Sequence, residues 1–475
     1  MTKQPKAIIC AAGALVGLLV LAAVALSVFL DVDAYKPRLE AAVSDMMGME
    51  VKVGGPLAID FFPKVLVTLG DVHVRNRGTE VVSARSARVG VEFLPLLRKE
   101  VRIKHIALEN PSISIEKGSD GKFNFEKLEQ ARGPLRDLNL GHVSFSGGGF
   151  RYLDKQSGEG FEAADCSLNA GRLQLLDRKG PGIMKYLSLT AEVVCAEVRT
   201  KSHAVSDLKL SVAGQRGTFD LKPLTLRAYA GQGSGSIQAD FTGAVPRYQI
   251  RYSVSQLHIG EFLKTLSPPI LAEGTMHFAA TLSLQGKTSS ELRQSMEGEF
   301  SLRGKNLILD GRDLDQQFAR YESSQNFNLV DVGALFFVGP VGLAVTKGFN
   351  FASIFQGSEG RSEIRTVVSD WKVERGVAYS QDVAMATNEN RVAVQGELDF
   401  VNQRFAHMSV ALIDAKGCIR AQQQIHGDFQ KPVLEKPSTA KSLAGPVASL
   451  LKKLGSLFPG GECEVFYAGS VVPPK

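Results

Sequence analysis

Apolar and polar residues take turns along most of this chain, and that alternation constrains the fold more than any motif does. Val89, Val91 and Phe93 stand between Arg88, Gly90 and Glu92. The pattern recurs at Val65, Val67 and Leu69, in Leu208-Lys-Leu-Ser-Val212, in Ile250-Arg-Tyr-Ser-Val254, at Phe300-Ser-Leu302, and in Met408-Ser-Val-Ala-Leu412. Successive side chains of a strand point to opposite faces, so each run predicts a half-buried strand with one apolar face. The 47 glycines suit many short connections. Gly118-Ser-Asp-Gly121, Gly147-Gly-Gly149, Gly158, Gly160, the segment 231–235 and Gly286 read as turns. With no helical patterns between the strands, the spacing predicts antiparallel sheet rather than a doubly wound α/β fold.

One stretch breaks the alternation entirely. Residues 7–30, which include Ala7, Leu15, Leu19 and Leu30, contain no charge, no proline and no amide side chain. As a helix rising about 1.5 Å per residue, they are long enough to cross a hydrocarbon core of about 30 Å. Lys3 and Lys6 precede the run and Asp31 and Asp33 follow it, so the positive-inside bias places a short tail in the cytoplasm and exports the remainder. The competing reading is a cleaved signal peptide, for which Ala23-Val-Ala25 offers a site. The run is longer than the usual apolar core of about 7–15 residues in such peptides, which favours a retained anchor. Cys10 follows Ile9, where a lipoprotein needs a small residue.

The other classes of function fare poorly. A net charge of +6 over 475 residues, with no basic block and a single tryptophan, Trp371, does not describe a nucleic-acid binder. The 8 histidines are scattered without a metal-ligand spacing. Gly286-Lys-Thr288 resembles the end of a phosphate loop, but Thr281 stands where the first glycine belongs. Gly231-Gln-Gly-Ser-Gly235 lacks the third glycine of a dinucleotide fingerprint and reads as a turn. Asp310, Asp313 and Asp315 form a small acidic cluster, read as a solvated turn rather than a cation site. No Gly-x-Ser-x-Gly elbow is present. The expectation is a protein that is not an enzyme, with no catalytic residue, no metal ligand and no cofactor.

Beyond Cys10, the chain has Cys166, Cys195, Cys418 and Cys463, an even number in a segment expected to be exported. Three pairings are possible. Joining Cys166 to Cys195 and Cys418 to Cys463 would staple neighbouring segments and is the favoured hypothesis, with four unpaired buried thiols as the alternative. Helical periodicity is confined to Leu39, Val43 and Met46 beyond Pro37, to residues 314–321, and to residues 443–458, where Val447, Leu450, Leu451, Leu454 and Phe458 make an apolar stripe. Residues 335–345 form an apolar stretch broken by Gly339, Pro340 and Gly342. Leu335, Phe336 and Phe337, with Phe349 and Phe351 behind them, are candidates for lipid or membrane contact. Packing against the sheet is the plainer reading.

Several segments carry a family resemblance. Ala34-Tyr-Lys-Pro-Arg-Leu-Glu40, Gly48-Met-Glu-Val-Lys-Val-Gly-Gly-Pro-Leu-Ala-Ile59, Phe62-Pro-Lys-Val-Leu-Val-Thr-Leu-Gly-Asp71, Ile103-Lys-His-Ile-Ala-Leu-Glu-Asn-Pro-Ser-Ile113 and Gly121-Lys-Phe-Asn124 resemble, in order and spacing, the N-terminal region of the AsmA family within the AsmA/TamB-like superfamily. Residues 300–436, with Val373-Glu-Arg-Gly-Val377, Gln395-Gly-Glu-Leu-Asp-Phe400 and Ile425-His-Gly-Asp-Phe-Gln-Lys-Pro432, are similar to its second region. The stretch between carries only the strand pattern. The organisation that follows is a cytoplasmic tail and anchor (1–30), an AsmA-like N-terminal region (31–132), a middle β region (133–299), an AsmA-like C-terminal β region (300–436), and an amphipathic helix with a C-terminal tail (437–475).

The resemblance implies a single-pass protein of the bacterial inner membrane with its bulk in the periplasm, serving outer-membrane biogenesis. Its implied partners are the inner membrane, phospholipid or lipopolysaccharide, and outer-membrane proteins or their assembly machinery, with no nucleic acid. The implied fold is mainly β: a transmembrane helix, then an elongated, curled antiparallel sheet, groove or sandwich-like, with a few short helices. A sheet with one continuous apolar face must cover that face either with a lipid tail or with more protein. Periodicity alone leaves both open.

Overall fold

In the computed structural model the described residues are 36–60, 65–92, 103–120, 123–124, 139–175, 183–201, 203–264, 271–311, 313–324, 360–429, 431–436, 438–439 and 463–474. The proposed anchor, the apolar stretch with Phe349 and Phe351, and the helix expected at 443–458 lie outside them. The chain divides into two compact units, Met1–Phe219 and Asp220–Lys475, a division inside the stretch read as the middle β region. Both units are mainly β with a few short helices.

The first unit opens with helix α1 (Lys36–Met47). Pro37 suits the first turn of a helix, where no amide hydrogen is needed, and Gly48 ends it with φ of 66°. Strands β1 (Glu50–Val53) and β2 (Leu57–Asp60) both pair with β3 (Val65–Asn76). The side chains of α1 cap this edge: the Val51 amide donates to Ser44 Oγ at 2.9 Å and the Val53 amide to Glu40 Oε1 at 2.7 Å. An edge strand with satisfied amides no longer templates foreign strands.

The sheet continues through β4 (Thr79–Val91), β5 (Ile103–Glu109), β6 (Ser112–Lys117), β7 (Asn139–Asp154), β8 (Glu159–Leu175), β9 (Leu187–Thr200) and β10 (Ala204–Gln215). Strands β5 and β6 both pair with β4, separated by Asn110-Pro111, where Asn110 has φ of 47°. Strand β7 then pairs with both in parallel. The sheet is therefore mixed, which corrects the antiparallel expectation. A parallel pair needs a crossover of about a dozen residues or more, and residues 118–138 supply that length. Gly147-Gly-Gly149 is likewise not a turn but lies inside β7; a Cβ on Gly148 would come within 2.9 Å of the Phe145 ring.

Strand β11 (Thr218–Ala228) crosses the division between units. The second unit contains β12 (Gly231–Asp240), β13 (Arg247–His258), helix α2 (Ile259–Leu263), β14 (Ala272–Glu273), β15 (Thr275–Gln285), helix α3 (Ser289–Gln294), β16 (Glu297–Asp310) and helix α4 (Leu314–Ser324). It ends with β17 (Arg361–Glu374), β18 (Val377–Ala386), β19 (Arg391–Asp399), β20 (Arg404–Ile413), β21 (Ile419–Asp428), β22 (Lys431–Leu434) and β23 (Ser438–Thr439). Antiparallel pairing runs β12–β13–β15–β16–β17–β18–β19–β20–β21.

Two motifs are resolved by this topology. The glycines of 231–235 belong to strand β12, not to a turn. A Cβ on Gly233 would stand 2.0 Å from the Tyr252 hydroxyl, and one on Gly235 would stand 2.6 Å from its ring. The Tyr252 ring lies across both, and at Gly235 the Arg251 carbonyl oxygen, 2.2 Å from such a Cβ, comes closer still. Thr288 is the N-cap of α3, accepting from the Glu291 amide at 3.2 Å while Glu291 Oε2 accepts from the Lys287 amide at 2.7 Å. The phosphate-loop look-alike is a capping box in which the glutamate reaches the amide just before the cap.

Candidate functional site

The register of the first unit lines apolar side chains up across every strand. One row reads Leu57, Leu69, Ala87, Leu108, Phe145, Leu168, Val193, Leu210 from β2 to β10, each directly opposite the next. A second row reads Ile59, Val67, Val89, Ile106, Val143, Ala170, Ala191, Val212. A third row reads Val51, Val74, Val82, Ile113, Phe150, Ala163, Val198, Val205 from β1. The other face is different: the row Thr68, Arg88, Ala107, Ser144, Asn169, Glu192, Ser211 is largely polar. Directly opposed side chains are the neighbours that pack on a sheet, so the rows make one continuous apolar surface.

The strands bend at a common level between the first and third rows. There the spacing of inward residues widens from two to three: Leu69 to Val72, Ala84 to Ala87, Ala163 to Cys166, Cys195 to Val198, Val205 to Leu208. Left-handed residues sit at that level in several strands: Asp71 (φ 50°) in β3, Asn110 (47°) between β5 and β6, Gly147 (62°) in β7, Asp165 (50°) in β8 and Asp207 (53°) in β10. Asp, Asn and Gly tolerate this conformation best. Paired strands each take one extra residue there, as where Gly70–Ser86 is followed by Val72–Ala84 and Ala164–Glu197 by Cys166–Cys195, so the register is kept and the apolar rows continue without a change of face.

This surface is open. Apart from the alanines, every member of the first two rows is only half-buried. The second unit starts in the same way and then closes. Its row Ile237, Ile250, Leu282, Gly298, Val373, Ala378, Leu398, Phe405 is half-buried through Leu282, whereas Val373, Ala378, Leu398 and Phe405 are 2%, 0%, 1% and 4% exposed. Helices α2 and α4 press onto the closed part, burying Phe262, Leu263, Leu314 and Phe318 in one cluster with Leu307, Leu309, Trp371 and Met385. Phe300 stacks on Trp371 with centroids 6.1 Å apart.

The opposite face of β17–β20 is covered too. Val368, Ala384, Ala393 and Ala411 lie opposite one another there and pack with Tyr467 and Val471 of the C-terminal segment. The Tyr467 hydroxyl donates to Asp382 at 2.5 Å and accepts from the Val471 amide at 3.0 Å. Burial, then the bond to Asp382, pushes the Tyr467 pKa well above its ordinary value. Arg391, only 6% exposed, donates to the Val471 carbonyl at 2.9 Å and the Asp414 carbonyl at 2.7 Å. Small alanines let this segment approach closely.

The cysteines named from the sequence fall on both parts. Cys166 is joined to Cys195 on the apolar face of the first unit, and Cys418 to Cys463 ties the C-terminal segment to β21. The acidic cluster disperses: Asp313 accepts from the Gln316 amide at 2.9 Å at the start of α4, Asp315 accepts from Asn390 at 2.7 Å, and Asp310 faces Arg361 at 3.4 Å. Among the described residues no group of His, Cys, Asp or Glu is placed to hold a metal ion, and no helix is long and apolar enough to cross a membrane. An open depression of about 810 Å³ lies over β16 and β17, beside the paired Arg303 and Asp370. The anchor residues Ala7, Leu15, Leu19 and Leu30, and Leu335, Phe336, Phe337, Phe349 and Phe351, lie outside the described residues. The residues missed in the sequence are the cross-strand partners Leu108, Phe145, Leu168 and Val193, whose alternation was visible but whose register was not.

The class these features define is a mainly β protein whose first unit leaves one apolar sheet face half-buried and whose second unit seals much of its own. The sequence model of the AsmA family matches residues 1–175 and 189–342. The chain belongs to the AsmA family. The match takes in most of the middle region, where the residues alone showed only strands, and stops at 342, so residues 343–436 lie beyond it. No curated relative matches the chain. At family level, membership supports a role in outer-membrane biogenesis or a lipid-related function, in association with a membrane.

Proposed function

We propose that this protein is held in the bacterial inner membrane by residues 7–30, with its bulk in the periplasm, and that it binds or transfers lipid along the apolar face of its sheet during outer-membrane biogenesis. The observation that carries this reading is the pair of uninterrupted apolar rows from β2 to β10, half-buried at every member but the alanines. Exposed apolar surface of this extent is costly in water unless something covers it, at about 25 cal/mol per Å². An acyl chain matches it in chemistry and needs no hydrogen bonds from it. The role is not enzymatic. Native mass spectrometry of the full chain in mild detergent tests the reading: phospholipid or lipopolysaccharide should remain bound, and a clean apo spectrum under conditions that preserve the fold contradicts it.

A second reading is a scaffold or regulator of outer-membrane protein assembly that handles no lipid. The sealed block at β17–β21, covered on both faces, favours it for that part of the chain. Under this reading the purified protein retains outer-membrane proteins and no lipid.

A further inference from the structure

On the apolar face of the second unit one side chain is out of character. Tyr252 on β13 lies in the row Gly235, Tyr252, Ala280, Phe300, Trp371. This is where the half-buried strands give way to the sealed block: Tyr252 and Ala280 are half-buried, and Phe300 and Trp371 are 5% and 2% exposed. Its ring rests on the glycine floor of β12, over Gly233 and Gly235. Its hydroxyl is shut away from solvent and has no hydrogen-bond partner. Burial pushes its pKa up to about 12, so the hydroxyl keeps its proton and remains a donor.

A buried hydroxyl without a partner is a standing cost, one that a phenylalanine would avoid. The glycines make the ring's resting place, since any side chain at Gly233 or Gly235 would collide with it. To meet a bound molecule the ring must rotate off that floor toward the open apolar rows, leaving its packing against the buried cluster. What the hydroxyl then needs is an acceptor supplied from outside the protein, on a molecule otherwise apolar enough to lie on Ile237, Ile250 and Leu282. The carbonyl oxygen of an acyl ester meets both requirements; a plain hydrocarbon or an ether-linked chain lacks a comparable acceptor.

We propose that Tyr252 is a specificity-determining residue that donates a hydrogen bond to the ester carbonyl of an acyl lipid where the open apolar face of the second unit ends. The proposal rests on the lipid-binding reading above and adds to it the class of lipid and the residue that reads it. Ester-linked lipid is held in register at this point, and the apolar rows supply binding without discrimination.

The test compares two phosphatidylglycerols of equal chain length, one diester and one diether, offered in competition to the full-length protein in detergent, with occupancy read by native mass spectrometry. Wild type should favour the diester about five-fold, the equivalent of one net hydrogen bond. Tyr252→Phe, which keeps the ring and deletes only an unpartnered hydroxyl, should unfold at a temperature no lower than wild type and take both lipids equally. Uptake of both lipids by wild type without preference, or an equal ester preference in Tyr252→Phe, overturns the role of Tyr252 while leaving the trough standing. Uptake of neither lipid by either protein contradicts the trough itself and this proposal with it. Gly233→Ala provides an independent arm, since its Cβ would meet only side-chain atoms, the Tyr252 hydroxyl first: by displacing the ring from its floor it should change the ester preference, and an unchanged preference counts against the resting position as part of the mechanism.

Discussion

Cys195 stands directly opposite Cys166 on the neighbouring strand, with Cα atoms 4.1 Å apart, and the bond between them lies on the apolar face among Phe145, Phe150, Val193 and Leu208. The disulfide therefore ties β8 to β9 at the level of the bend, beside Asp165. Replacing both cysteines by alanine should cost roughly 3–4 kcal/mol, the chain-entropy value for a closed loop of this size. Urea unfolding of the double variant against wild type measures it. A loss below about 0.5 kcal/mol would show that the link contributes little to this sheet.

The left-handed positions at the bend make a second prediction. Asp165 and Asp207 hold φ of 50° and 53°, a region costing a β-branched side chain about 1–2 kcal/mol. Asp165→Val and Asp207→Val should each lower stability by about that amount, whereas Asp165→Gly should be close to neutral. Thermal unfolding decides, and equal effects of valine and glycine would rule out backbone strain as the cause.

These two sites also show how far the residues alone could lead. Alternation at Val89 and Val91 or at Leu208, Leu210 and Val212 was enough to read strands and one apolar face. The facing of Leu168 by Phe145 and Val193 was not legible, because register is set between strands and by bulges whose only local mark is an Asp, Asn or Gly. The parallel pairing of β7 depends on a crossover with no composition signal of its own. Glycines at 147–149 and 231–235 read as turns because their reason lies in what a side chain would meet there: Asn110 at Gly147, the Phe145 ring at Gly148, the Leu257 backbone at Gly231 and the Tyr252 hydroxyl at Gly233. The difference between an open face and a sealed one follows from α2 and α4 folding onto β13–β18, a tertiary event that periodicity cannot carry.

The open and sealed parts should respond oppositely to substitution. Phe318 is 0% exposed in the closed cluster, and Phe318→Ala should cost about 3–5 kcal/mol. Leu168 is half-buried on the open face; Leu168→Asp should leave most of the stability and remove bound lipid. Paired measurement of unfolding and lipid content separates the two, and global unfolding of Leu168→Asp would mean that this face is core.

Acid should weaken the second unit through Asp399. Burial alone works to raise its carboxyl pKa, but the Asn402 side chain and amide and the Arg404 guanidinium outweigh it and hold the pKa below the usual value. A group with a depressed folded pKa stabilises above its unfolded value of about 3.9, and that contribution is lost as pH falls through the folded pKa. Thermal unfolding between about pH 5 and pH 2 should therefore fall less steeply in Asp399→Asn than in wild type. Parallel curves would remove Asp399 from the account of acid sensitivity.

The most direct test of the open apolar face is site-specific photo-crosslinking in the intact cell envelope. A photoreactive residue replaces in turn Leu168 and Val193 on the apolar rows, and Asn169 and Glu192 on the opposite face. Lipid adducts at Leu168 and Val193, with none at Asn169 and Glu192, are the predicted result. Adducts on both faces alike, or on neither, in protein that remains folded, would contradict the claim that this sheet carries lipid on one side.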